Sequence, residues 1–160
     1  MFSKIIDTMN EWVGVTCVLI LASMVAVVFM QASLRYVFNY TIFWAEELAR
    51  FLQIWMIFLG SALAFEKLGH VNVPFFINRA PSLIKVSMFI FVQIATLCFL
   101  FFLIYKGIFL VNSGWIMHST ALDISLGYIY AAAPVSGLLM FLNVAKNTAQ
   151  YFVKQLKKEY

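Results

Sequence analysis

Three ionisable side chains, Glu46, Glu47 and Arg50, stand in the first third of a run, Phe43 to Phe65, that is otherwise apolar. On a helix Glu46 and Arg50 are i,i+4 neighbours and Glu47 and Arg50 are i,i+3 neighbours, so both carboxylates are expected to reach the guanidinium. Two carboxylates against one arginine leave a negative excess, which asks for a further donor on another helix or subunit. Ionisable groups at membrane depth face protein or a wet cavity because lipid does not solvate them. Three readings of the cluster follow: pairing at a contact with another polypeptide, a proton-relay or cation site, and an interfacial ion pair with no special role. A helical wheel places Glu46, Arg50, Gln53, Ile57, Gly60 and Ala64 within about 40° of one direction, with Leu48, Leu52, Trp55 and Leu59 opposite. Gly60 and Ala64 form a small-x-x-x-small pair that admits close approach of a neighbouring backbone. This helix is expected to carry a face for protein contact.

The other polar residues point to less. Gln93 and Thr96, three apart in another apolar run, are placed to bond a neighbouring helix. His70 and His118 fall in connections on opposite sides of a membrane, so they cannot jointly hold haem or zinc. Cys17 and Cys98 lie in apolar runs without a C-x-x-C pairing and read as small packing residues. There is no nucleophile elbow, P-loop or HExxH motif. No enzyme, cofactor or metal chemistry is expected, and an oxidoreductase would need paired histidines or cysteines at one membrane level.

The elements that hold these residues follow from composition. Of 160 residues 64% are hydrophobic and 11% charged, and the mean hydropathy is +0.92. That is too little charge to cover a water-soluble fold, which carries about 25%. The class expected is an all-α integral membrane protein. Four transmembrane helices are expected in a single domain over 1–160, at about 12–34, 43–65, 83–111 and 124–145, each near the length needed to cross about 30 Å of hydrocarbon. Trp12 to Leu34 is 23 residues without a charge, longer than a signal-peptide core of about 7–15, and reads as a retained span. The third span is long enough to tilt or protrude, and Pro134 is expected to kink the fourth. Eight of the eleven Lys and Arg residues fall on one side if both the N-terminus and the C-terminus are cytoplasmic, leaving Arg35, Arg50 and Lys106 outside. Basic residues at span ends speak for orientation and against nucleic acid. Tyr36, Tyr40, Trp44, Tyr105, Trp115 and Tyr128 suit an outer aromatic belt. Gly69 is expected to cap a helix, Pro74 to Arg79 to form an interfacial turn, and Asn112 to Asp123 an outer loop. The basic tail Lys154 to Lys158 reads either as resting on anionic lipid or as simply solvated.

The motifs Arg35-Tyr36-Val37-Phe38-Asn39, Thr41, Trp44, Glu46-Glu47-Leu48, Trp55, Gly60 and His70 resemble the first half of the small permease (Q) subunit of tripartite ATP-independent periplasmic (TRAP) transporters. Ala121-Leu122-Asp123-Ile124, Tyr130 and Pro134 are similar to that family's second motif. The chain departs from the pattern at Ser125, where proline is common, and at Asn72 and Pro74, where an acidic residue is common. The resemblance implies a non-catalytic subunit in a bacterial inner membrane, scaffolding a large permease (M) subunit that carries the substrate and sodium sites and moves like an elevator. A periplasmic binding protein would deliver an organic anion such as a dicarboxylate, sialic acid or another sugar acid. Glu46, Glu47, Arg50, Gln53, Gly60 and Ala64 would then meet the large subunit, and Arg35, Tyr36, Asn39 and Trp44 would order the outer connection near the binding protein. The alternative is a self-contained proton-coupled exporter using Glu46 or Glu47.

Overall fold

Where no water is available to bond the backbone, an apolar chain closes its own hydrogen bonds as helix. The computed structural model describes residues 2–68 and 82–156, and the described residues form five helices: α1 (Phe2–Phe38), α2 (Phe43–Leu68), α3 (Ser82–Gly114), α4 (Gly127–Tyr130) and α5 (Ala132–Leu156). Four stretches of helix, the last combining α4 with most of α5, are long and apolar enough to cross a membrane. The fold is therefore all-α, and the expectations for Gly69, His70, the turn at 74–79 and the side chains of the basic tail lie outside the described residues.

The first three expected spans lie within longer helices. At 37 residues α1 is about 55 Å long, well beyond the hydrocarbon thickness. Asn39 adopts a left-handed backbone (φ 50°), which asparagine tolerates, and the Tyr40 N–H turns back to the Leu34 carbonyl at 3.2 Å to end α1. The outer loop starts later than expected, because α3 runs on to Gly114. The fourth span also differs: it starts at Gly127, and its helix is interrupted at Ala131, one turn before Pro134, where the missing proline N–H takes effect. The Ala131 N–H donates to the Gly127 carbonyl at 3.0 Å and the Val135 N–H to the Ala131 carbonyl at 3.2 Å, so α4 and α5 stay joined through the interruption.

Packing runs in sequence across the molecule: α1 lies on α2, α2 on α5, and α5 on α3, with α1 touching α5 only slightly. The result is a row of helices, one helix thick. Its core joins Ala62 of α2, Leu100 of α3, and Met140 and Val144 of α5, with Phe65, Leu97, Leu103 and Leu139 packed around them. A Cβ on Gly107 would stand 2.9 Å from Pro134 Cδ, and one on Gly137 would stand 2.9 Å from Ile104 Cγ1. These two glycines set how closely α3 and α5 cross.

One end of the row, where α1 begins and α5 finishes, is tied by buried polar groups. Asn143, 1% exposed, donates to Asn10 Oδ1 at 3.2 Å and to the Ala62 carbonyl at 3.1 Å, and accepts from Asn10 Nδ2 at 2.8 Å. Lys146 pairs with Asp7 and lies 3.8 Å from Glu66. Asn147 donates to the carbonyls of Phe65 and Glu66 near the end of α2. Through Asn143 and Lys146, α5 binds both α1 and α2. As the sequence suggested, Gln93 reaches a neighbouring helix, donating to Thr148 of α5, whereas Thr96 bonds back to Val92 on its own helix.

Candidate functional site

The turn-by-turn exposure of α2 defines the site. Ala45, Leu59 and Ala62 are buried, and Leu48, Leu52 and Trp55 are partly buried. Glu46, Arg50, Gln53, Ile57 and Ala64 are exposed, with Gly60 half-exposed in line with them. Because α2 has α1 on one flank and α5 on the other, this is the face it turns out of the chain. It coincides with the polar and small stripe predicted from the wheel.

At its upper end the stripe borders an open groove of about 350 Å³ between α1 and α2, lined by Met24, Val28, Gln31, Glu46, Ala49, Arg50 and Gln53. Arg50 Nη2 donates to Glu46 Oε1 at 3.2 Å. Gln31 is the contribution of α1, which a wheel of α2 alone does not include. Lower down, among the described residues nothing lies within 4 Å of where a Cβ on Gly60 would project, so they leave the small-residue notch open.

Glu47 corrects the expectation. It does not join Arg50: its Oε2 accepts the N–H of Ala121 at 2.9 Å and that of Leu122 at 3.2 Å, across the row in the loop after α3. The cause is angular, since adjacent helix residues point about 100° apart, so Glu46 faces out while Glu47 faces the loop. The two loop amides hold that carboxylate by charge-assisted hydrogen bonds. Glu47 keeps its charge, and the further donors that the excess asks for come from this chain's own loop, leaving Glu46 and Arg50 as a one-to-one pair.

The loop at 115–126 is itself ordered. Ser119 N–H donates to the Ile124 carbonyl at 2.9 Å and Leu126 N–H to the Met117 carbonyl at 2.9 Å, with an antiparallel bridge between His118 and Ser125. Ser125 Oγ donates to the Gly114 carbonyl at 3.1 Å, His118 Nδ1 lies 3.3 Å from Asp123 Oδ1, and Trp115 stacks edge-on against Tyr128 at 4.9 Å. The sequence showed a polar loop but not this hairpin. The Ser119-x-x-Leu122 turn and Ser125 beside Gly127 are signals that could have indicated it.

Of the residues expected near a soluble component, Arg35, Tyr36, Asn39 and Trp44 are all exposed at this hairpin end of the row, with Asn39 also terminating α1. Lys106 Nζ lies 5.8 Å from the ring centres of Phe102 and Tyr105, which shelter its charge on α3. Among the described residues no group of His, Cys, Asp and Glu could hold a metal ion.

Residues 24–153 match the family model described as tripartite ATP-independent periplasmic transporters, DctQ component. The chain is similar to the sialic acid TRAP transporter small permease protein SiaQ of Vibrio cholerae, at 30% identity over 88% of this chain and 79% of that protein. It is similar to the sialic acid TRAP transporter permease protein SiaT of Haemophilus influenzae, at 31% identity over 86% of this chain but 22% of that longer protein. It also matches the C4-dicarboxylate TRAP transporter small permease protein DctQ of Vibrio cholerae, at 25% identity over 84% of this chain and 55% of that protein.

Proposed function

This chain belongs to the DctQ component family of tripartite ATP-independent periplasmic transporters, and from that premise we propose that it is the stationary membrane anchor of a sodium-coupled importer of an organic anion. It is a small permease component, a multi-pass protein of the bacterial inner membrane and not an enzyme. In this reading its partner is a large permease subunit that carries substrate and sodium. The match to about one fifth of a longer permease supports a division of this kind, with the remainder of that polypeptide lying outside the match. Relatives named for sialic acid and for C4-dicarboxylates support a carboxylate cargo. Delivery by a periplasmic binding protein would bring that protein near Arg35, Tyr36, Asn39 and Trp44.

The observation that carries the anchoring role is the outward stripe of α2. A charged side chain turned to hydrocarbon at midspan costs about 2.5–3.5 kcal/mol on insertion scales. Arg50 and Gln53 lie two and three turns into the helix, where a protein surface spares that cost. Gly60 and Ala64 continue the stripe as a notch into which a partner helix fits. Glu46, Arg50, Gln53, Gly60 and Ala64 are therefore the contact we assign to the large subunit, with Gln31 added from α1 and Glu47 removed.

The test is co-purification of the two permease subunits in mild detergent, followed by reconstitution. Arg50→Ala leaves Glu46 without its partner at depth, and recovery of the large subunit is expected to fall several-fold. Recovery at the wild-type level would remove Arg50 from the contact. Uptake by liposomes is expected to require both subunits, the binding protein and an inward sodium gradient. Movement of substrate by this chain alone under a pH gradient would establish the exporter alternative instead.

A further inference from the structure

We propose that the turn at 119–122 is a carboxylate receptor made of backbone amides, and that Glu47 is its tethered ligand, a positioning residue that shapes the hairpin at 115–126. Two consecutive N–H groups, of Ala121 and Leu122, converge on one oxygen, Glu47 Oε2, at 2.9 and 3.2 Å. Adjacent amides aimed at one point form a concave anion site, and a charged acceptor makes each bond roughly twice as strong as a neutral one. Ser119 Oγ also accepts the Leu122 N–H at 3.3 Å, which bends the turn so that the two amides face the same way. The rest of the hairpin meets its own needs through the Ser119, Leu126 and Ser125 bonds. Its tip takes an acceptor from α2, 74 residues away in sequence.

Neighbouring carboxylates on one helix thus have separate duties. Glu46 faces outward with Arg50, and Glu47 faces inward to the tip. The turn lies at the surface, with Ala121 exposed, so removing the Glu47 side chain opens the amides to a small free carboxylate. The proposal concerns contacts within this chain and does not require the large subunit.

The experiment is hydrogen–deuterium exchange of the full chain in lipid nanodiscs, read by mass spectrometry on peptides covering 115–126. In Glu47→Ala, exchange in this segment is expected to rise about tenfold, while α3 and α5 keep their wild-type rates. Acetate at about 0.1 M is expected to slow it again by occupying the vacated receptor, whereas chloride at equal ionic strength does not. Glu47→Gln keeps a neutral oxygen acceptor and is expected to fall between wild type and alanine. Glu46→Ala is expected to leave the hairpin unchanged. Unaltered hairpin exchange in Glu47→Ala, acceleration that acetate fails to reverse, or a response to Glu46→Ala as large as that to Glu47→Ala would each overturn the proposal. Should Glu47→Ala not accumulate, the glutamine variant decides, and exchange equal to wild type throughout 115–126 would overturn it.

Discussion

At the scale of single residues, polar groups in this protein divide into those that serve the chain and those the chain leaves unused. Asn143 serves the chain, bonding α1 through Asn10 and α2 through the Ala62 carbonyl in a site with almost no solvent. Asn143→Leu strands the amide of Asn10, itself 5% exposed, and is expected to destabilise the fold by about 1–3 kcal/mol, the usual cost of an orphaned buried group. A denaturant titration in detergent reads that loss. The double variant Asn10→Leu, Asn143→Leu is expected to recover part of it, because both orphaned side chains are then gone; strict additivity of the two single losses would show that the pair does not interact. Gln53 shows the other behaviour, lying on the open groove and the outer surface of α2, and Arg50 beside it bonds only within the stripe, to Glu46. Spacing revealed that outward cluster, because i,i+3 and i,i+4 relations are local. It did not reveal the acceptor role of Glu47 or the Asn10 and Asn143 pair, whose partners are 74 and 133 residues distant.

At the scale of helices, glycine separates internal from external packing. Gly107 meets Pro134 across the α3–α5 crossing, where an added Cβ would collide with Pro134 Cδ and its nitrogen. Gly107→Val is therefore expected to push the two helices apart and lower the thermal midpoint of the isolated chain. Among the described residues nothing lies within 4 Å of a Cβ on Gly60, so Gly60→Leu is expected to leave that midpoint unchanged while reducing recovery of the large subunit. A fall in midpoint of similar size for both would mean that Gly60 packs internally. The helices themselves were legible because an apolar run of about 20 residues has few other outcomes in lipid. Their ends were less so. Helix α3 continues through Asn112 and Ser113, polar residues that read as loop, with the Ser113 hydroxyl turned back onto the Phe109 carbonyl. The start of the last span moved to Gly127 because the preceding residues are drawn into the Ser119–Ile124 and Leu126–Met117 pairings.

At the scale of the whole molecule, helix order across the row could not be read from the sequence. It rests on the Asn143–Ala62 and Asn147–Phe65 contacts with α2 and the Gln93–Thr148 contact with α3, which bring α5 between α2 and α3 rather than leaving neighbours in chain order. Orientation, by contrast, is a matter of charge. With eight of eleven Lys and Arg residues assigned to the cytoplasmic side, a fluorescent protein fused after Tyr160 is expected to mature and an alkaline phosphatase at the same point to stay inactive. The reverse pattern would place the Glu47 hairpin in the cytoplasm and separate it from any periplasmic protein.

The single-file arrangement of these rods has a mechanical result. Adjacent α2 and α5 are pinned near both extremities, by Glu47 through the hairpin above and by Asn143 and Lys146 below. Sliding one past the other along the membrane normal would break polar bonds at two levels together. Curling the row about that same axis loads the Asn10–Asn143 and Lys146–Asp7 ties, which reach from α1 past α2 to α5 at one end only. The row is thus held against a vertical load at both extremities and against curling at the one where α1 meets α5.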